Sequence, residues 1–159
     1  MLRLSPITDD DYKAYLSEAV PDYAHEQVQA GYWHADESMQ RARQQFQQLL
    51  PEGLNTADMH LFSLIDDALG VKVGMIWFGM SRKRALPKAF IYDFIVFKPY
   101  RRRGYASQAL DCLTEMAAEL GARKLELHVF AHNEAARALY EKSGFRISSY
   151  YMVKEVGGR

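Results

Sequence analysis

Apolar residues alternate with polar ones over some stretches of this chain and recur every three to four residues over others. The first spacing belongs to strands and the second to helices. Leu2–Pro6 reads as a short first strand. Thr8 or Asp9 offers an N-cap for a helix with Tyr12, Tyr15, Leu16 and Ala19 on one face, and Pro21 is expected to interrupt it. Residues 22–38 carry aromatics and histidines without a clear period, broken at Gly31-Tyr32. Asp36 or Ser38 then caps a second helix that ends near Leu50, before Pro51, with Met39, Ala42, Phe46, Leu49 and Leu50 on its buried side.

The second half is more regular. His60–Ile65 and Val71–Met80 form a hairpin around residues 66–70, and Ala89–Phe97 is the next strand. Tyr105–Leu120 is a helix with Ala109, Leu113, Met116, Ala117 and Leu120 on its apolar face, closed by Gly121. Lys124–Phe130 is a strand and Asn133–Ser143 a helix stopped by Gly144. Phe145–Ser148 and Tyr150–Glu155 read as closing strands. The order of elements implies a mixed α/β sheet flanked by helices. With no linker or repeat visible, residues 1–159 are expected to form one domain.

Composition narrows the function classes. Twenty basic residues balance twenty acidic ones, so a dedicated nucleic-acid binder is not expected. No apolar run reaches membrane-spanning length, and Cys112 is the one cysteine. These points imply a soluble cytoplasmic protein without membrane partners. Exposed aromatics in the closing strands offer a seam for a homodimer.

Candidate chemistry concentrates at residues 92–110, where a strand meets Arg101-Arg102-Arg103-Gly104 and then a helix. Free N–H groups of a first helical turn, the helix dipole and nearby arginines make an anion cradle, suited to phosphate or pyrophosphate. The dinucleotide fingerprint and the nucleoside-triphosphate loop are both absent. What stands there is R-x-x-G-x-A, Arg101 to Ala106. A second segment follows: Asn133, Ala136, Leu139-Tyr140 and Gly144-Phe145 in the pattern N-x-x-A-x-x-L-Y-x-x-x-G-F.

Together, in this order, the two motifs resemble the acyl-CoA segments of the GNAT superfamily of N-acetyltransferases, over roughly residues 60–155. The resemblance implies the GNAT acyl-CoA N-acyltransferase fold and acetyl-CoA as cosubstrate. It implies a primary amine as acceptor, attacking the thioester directly in a ternary complex. It places the cosubstrate against Phe94, Ile95, Val96 and Phe97 of the strand and against Arg101, Arg102, Arg103, Gly104, Tyr105, Ala106 and Ser107 of the loop. Asn133, Ala136 and Tyr140 complete that set. Tyr140 matches the family tyrosine near the CoA sulfur, and a phenol, protonated at neutral pH, can donate to a thiolate.

The base stays open. His128, on the expected strand 124–130, is one candidate, because imidazole ordinarily titrates near neutrality. Asp93 lies among apolar residues of the neighbouring strand, where burial would raise its pKa; an ion pair with a nearby basic residue is the competing role. Glu126 shares the strand-face parity of His128 and is a third. His25, Glu26, Trp33 and His34 fall where the family places its acceptor-facing segments, as acceptor contacts or simply as packing. No metal-ligand spacing is present, and no metal is expected. A catalytically silent acyl-CoA-binding or regulatory module is the competing function; thiol release in the presence of amines separates the two.

Overall fold

In the computed structural model, which describes residues 1–83 and 85–158, contacts divide the chain into two compact units, residues 1–127 and 128–159. The first unit is built on a five-stranded sheet in sequential order, β1 (Leu2–Pro6), β2 (Met59–Asp66), β3 (Val71–Ser81), β4 (Lys88–Val96) and β5 (Lys124–Leu127). The first four strands are antiparallel and β5 runs parallel to β4. Helices α1 (Asp9–Gln29) and α2 (Ala35–Leu49) lie between β1 and β2 in the chain, and α3 (Tyr105–Glu119) between β4 and β5. A single 3₁₀ turn, Lys98–Tyr100, joins β4 to the arginine loop.

Two faces of the sheet are covered. Ile7, Leu61, Met75 and Trp77 form one buried cluster with Tyr15 and Ala19 of α1 and with Leu50. On the opposite parity of β3, Ile76 and Phe78 are fully buried, and α3 packs against β1 and β4 with Leu110 and Leu113 inside. Burying each such large side chain contributes about 1.5–3 kcal/mol. Gly74 lets β3 and β4 come together: a Cβ there would collide with the Ile95 carbonyl oxygen.

Helix α1 corrects an expectation. It runs unbroken through Pro21. The proline is exposed, and so is Ser17, whose carbonyl loses its helical partner but can be solvated. Burial of Tyr15 and Ala19 before the proline and of Ala24 after it holds one axis across the gap. Thr8 is the N-cap, its Oγ1 accepting from the Asp11 N–H at 3.1 Å. Helix α2 starts earlier than expected, with His34 at the cap position, so Asp36 and Ser38 lie inside it.

Among the described residues of the second unit there is one helix, α4 (Glu134–Lys142). The Asn133 side chain caps it, accepting from the Ala136 N–H at 3.3 Å. The expected closing strands are absent: residues 145–148 and 150–155 have no strand pairing, and Tyr150, Tyr151 and Met152 are exposed. Alternating apolar character makes a strand only where another edge supplies hydrogen bonds.

Candidate active site

The site in the first unit is created by a bulge. Trp77 of β3 pairs with Asp93, but its neighbour Phe78 pairs with Ile91, so Tyr92 is an extra residue in β4. Side chains alternate along a strand, and one inserted residue exchanges the faces. Before the bulge, Ala89 and Ile91 share the parity of Phe78 and Met80. After it, Asp93, Ile95 and Phe97 turn to the face of Met75 and Trp77, under α1 and α2. The bulge therefore takes Asp93 out of the α3-side core and puts it in a cavity.

That cavity has a volume of about 660 Å³ and lies between α1, α2 and strands β3 and β4. Phe46, Trp77 and Tyr92 give it aromatic walls, and the lining carboxylates are Asp11, Glu18, Asp22, Glu26 and Asp93. One lysine, Lys72, opposes them, and it is taken up by an ion pair with Asp11 at 2.5 Å. Among the described residues, no cation lies within ion-pair distance of Glu18, Asp22, Glu26 or Asp93. The α1 carboxylates at 11, 18, 22 and 26 follow one helical stripe.

Asp93 has two fixed partners. The Tyr15 hydroxyl donates to its Oδ2 at 2.6 Å, and the Phe94 N–H donates to its Oδ1 at 2.9 Å. Burial pushes the Asp93 carboxyl above the usual carboxylate range, the two hydrogen bonds pull it back, and the charge of Asp22 adds to the rise. Burial also raises Glu26, with Asp93 and Asp22 adding to the effect and His25 opposing it.

Beside the cavity, β4 has a bare edge. Strand β5 pairs with it only from Lys88 to Ile91, so residues 92–96 have no β5 partner. The arginine loop follows. Arg101 donates through Nε to the Val96 carbonyl at 2.9 Å and ties the loop to the strand end. Arg102 (φ 61°) and Gly104 (φ 83°) are both left-handed. Gly104 is the N-cap of α3 and supplies no side-chain cap. The Gln108 N–H bonds back to the Gly104 carbonyl, so the Tyr105, Ala106 and Ser107 amides precede the first helical donor and have no carbonyl of the helix to bond. A Cβ on Gly104 would meet only Gln108 Nε2, at 4.0 Å, so the space in front of the turn is open. These residues fit an anionic phosphate group.

A family model described as the acetyltransferase (GNAT) family matches residues 13–145. The chain belongs to the GNAT acetyltransferase family. YycN of Bacillus subtilis (strain 168), named an uncharacterized N-acetyltransferase, is 41% identical over 155 residues, covering 98% of this chain and 99% of that protein. YdgE of the same organism, also named an uncharacterized N-acetyltransferase, is 31% identical over 153 residues, covering 96% and 97%. The crystal structure of YycN superposes with a TM-score of 0.89 at 40% identity, covering 98% of this chain and 99% of that one. The GNAT fold expected from the two motifs is thus present, and the chain is an acetyltransferase.

For this GNAT chain, sequence-predicted residues fall into distinct places. Asp93, the edge Phe94–Phe97 and the loop Arg101–Ser107 are contiguous in the first unit. Within that loop Tyr105 turns inward, 8% exposed, and its hydroxyl donates to Asp66 Oδ2 at 2.5 Å, which leaves its backbone amide for a ligand. Strand β5 ends at Leu127, so His128 lies beyond the strand on which it was expected and opens the second unit. His128 packs edge-to-face on Phe130 there, and Tyr140, on α4, meets Phe145 in the same way. Glu126 is committed to Lys88 at 2.8 Å. His25, on α1, and His34, at the α2 cap, are absent from the cavity lining, whereas Glu26 is part of it. Sequence reasoning missed the Tyr15 hydroxyl and the carboxylate stripe; the spacing 11, 18, 22, 26 would have shown the stripe had α1 been read through Pro21.

Proposed function

We propose that the chain transfers the acetyl group of acetyl-CoA to a primary amine on a cationic acceptor, by direct attack in a ternary complex. The observation that carries this reading is the acidic cavity against the bare edge of β4. Acetyl-CoA, when bound, supplies the acetyl thioester. The loop Arg101–Ser107 would hold its phosphates through the free amides of α3 and the arginine charges. The edge Phe94–Phe97 would align its pantetheine arm by added-strand hydrogen bonding.

The acceptor enters as an ammonium ion, and the unpaired carboxylates of α1 favour it over neutral or anionic amines. Asp93, ionised, accepts the proton directly or through one water, and the amine nitrogen is then free to bond to the acetyl carbon. As that bond forms the carbon–sulfur bond breaks. On the family pattern Tyr140 donates the proton that the departing sulfur takes up. Residues 1–159 act together as one catalytic domain.

The test is CoA release from acetyl-CoA with a panel of 1,4-diaminobutane, spermidine, lysine amide, tyramine and glutamate. The oligocationic amines should be preferred, with KM rising as salt is added. Equal use of glutamate and spermidine would sink the cationic-acceptor assignment, and so would the absence of CoA release with every cationic amine of the panel.

A further inference from the structure

We propose that Tyr15 is a positioning residue for acetyl transfer, clamping the Asp93 carboxylate so that its free lone pairs are left to the acceptor cavity. The proposal rests on the assignment of Asp93 as proton acceptor. It starts from a contact between residues 78 positions apart, the Tyr15 hydroxyl on Asp93 Oδ2 at 2.6 Å. The Tyr15 ring is 8% exposed and sits in the core cluster with Ile7, Leu61, Met75 and Trp77, so the hydroxyl is held at one point. The Phe94 N–H engages Asp93 Oδ1 at 2.9 Å. With one donor on each oxygen the carboxylate cannot rotate about its last bond without breaking a hydrogen bond. An ionised carboxylate has about four lone-pair sites, so about two remain for an ammonium or a water.

The electrostatics give the clamp a second effect. Glu18, Asp22 and Glu26 of α1 line the same cavity, and Asp11 and Lys72 pair with each other. The lining residues of α2 and β2 are uncharged. Burial and then the charge of Asp22 disfavour a charged Asp93, and Tyr15 and the Phe94 amide are the groups that favour it. Burial, with the Asp93 charge next, pushes the Tyr15 phenol up, so it stays protonated and remains a donor throughout the working pH range. The Phe94 donor belongs to the backbone; Tyr15 is the adjustable one.

The experiment is a ¹³C NMR titration of the full chain labelled at aspartate carboxyl carbons, with the Asp93 signal identified as the one lost in Asp93→Asn. In Tyr15→Phe the Asp93 midpoint should move to higher pH by roughly half a unit or more. Replacing Tyr15 by 3-fluorotyrosine, a stronger donor of nearly the same shape, should move it the other way. With spermidine and acetyl-CoA, Tyr15→Phe should lower kcat by about tenfold at neutral pH and leave KM for acetyl-CoA in place. In the Asp93→Asn background the hydroxyl deletion should cause no further loss. Lowered turnover in Asp93→Asn beside an unmoved midpoint and full turnover in Tyr15→Phe overturns the Tyr15 proposal alone. Full turnover in Asp93→Asn overturns the base assignment and the Tyr15 proposal with it.

Discussion

Gly104 offers a way to separate backbone conformation from ligand access at the anion loop. It is left-handed, φ 83° and ψ 3°, at the N-cap of α3. An L-residue in that conformation costs about 1–2 kcal/mol, with a β-branched side chain at or above the upper end and asparagine the most tolerant. A Cβ would meet only Gln108 Nε2 at 4.0 Å, so no steric clash adds to that cost in the free protein. Gly104→Val should therefore cost about 2 kcal/mol and lower Tm by roughly 4–8 °C, whereas Gly104→Asn should cost less than about 1 kcal/mol. Both variants put a side chain in front of the Tyr105–Ser107 amides. Calorimetric titration with acetyl-CoA should show at least about tenfold weaker binding for each, equivalent to about 1.4 kcal/mol. Arg102→Ala, which removes one charge of three, should lose only about threefold. Wild-type affinity in the folded Gly104→Asn variant would refute the reasoning, because it would mean that no ligand group approaches this turn.

Tyr140→Phe keeps the ring against Phe145 and deletes the hydroxyl; it should lower kcat with acetyl-CoA affinity nearly unchanged, and full turnover would leave Tyr140 a packing role. Asp93 must be ionised to accept a proton, and burial raises it, so the rate should fall on acidification at a pH above the ordinary carboxylate range. Asp93→Asn should abolish that limb and cost about 100-fold in turnover, while His128→Gln leaves the limb in place; the reverse pattern would move the role to His128. Asp66 is held below the usual range by the Tyr105 hydroxyl and by the Leu69 and Ala68 amides. Its contribution to stability is complete above the unfolded value of about 3.9 and is lost as pH falls through the lower folded value. Urea midpoints should therefore decline less steeply below pH about 4 in Asp66→Asn than in the wild type, and parallel declines would deny the linkage.

Much of this protein was legible in its residues because the signals are local. The periods of β1 to β4, α3 and α4 lie within single segments, and the observed bounds differ from the expected ones by about a residue at most ends. The anion loop was legible for the same reason: Arg101 to Ser107 are neighbours in the chain, and a strand followed by glycine and a helix N-terminus is a local construction. Tertiary structure decided what depends on pairing between distant segments. Sequence parity alone would give Asp93 the face of Ala89 and Ile91; the bulge at Tyr92, which exists only through pairing with β3, turned it to the cavity. Pro21 predicted a break, and burial of Tyr15, Ala19 and Ala24 outweighed one missing hydrogen bond, aligning Asp11, Glu18, Asp22 and Glu26 in one stripe. Tyr105 turned inward because Asp66, at the β2–β3 turn, offered its hydroxyl an acceptor. Residues 145–155 show the same rule from the other side, since their alternation is a strand pattern and no edge pairs with it. Periodicity is a property of one segment, whereas facing, pairing and charge environment belong to segments brought together by folding.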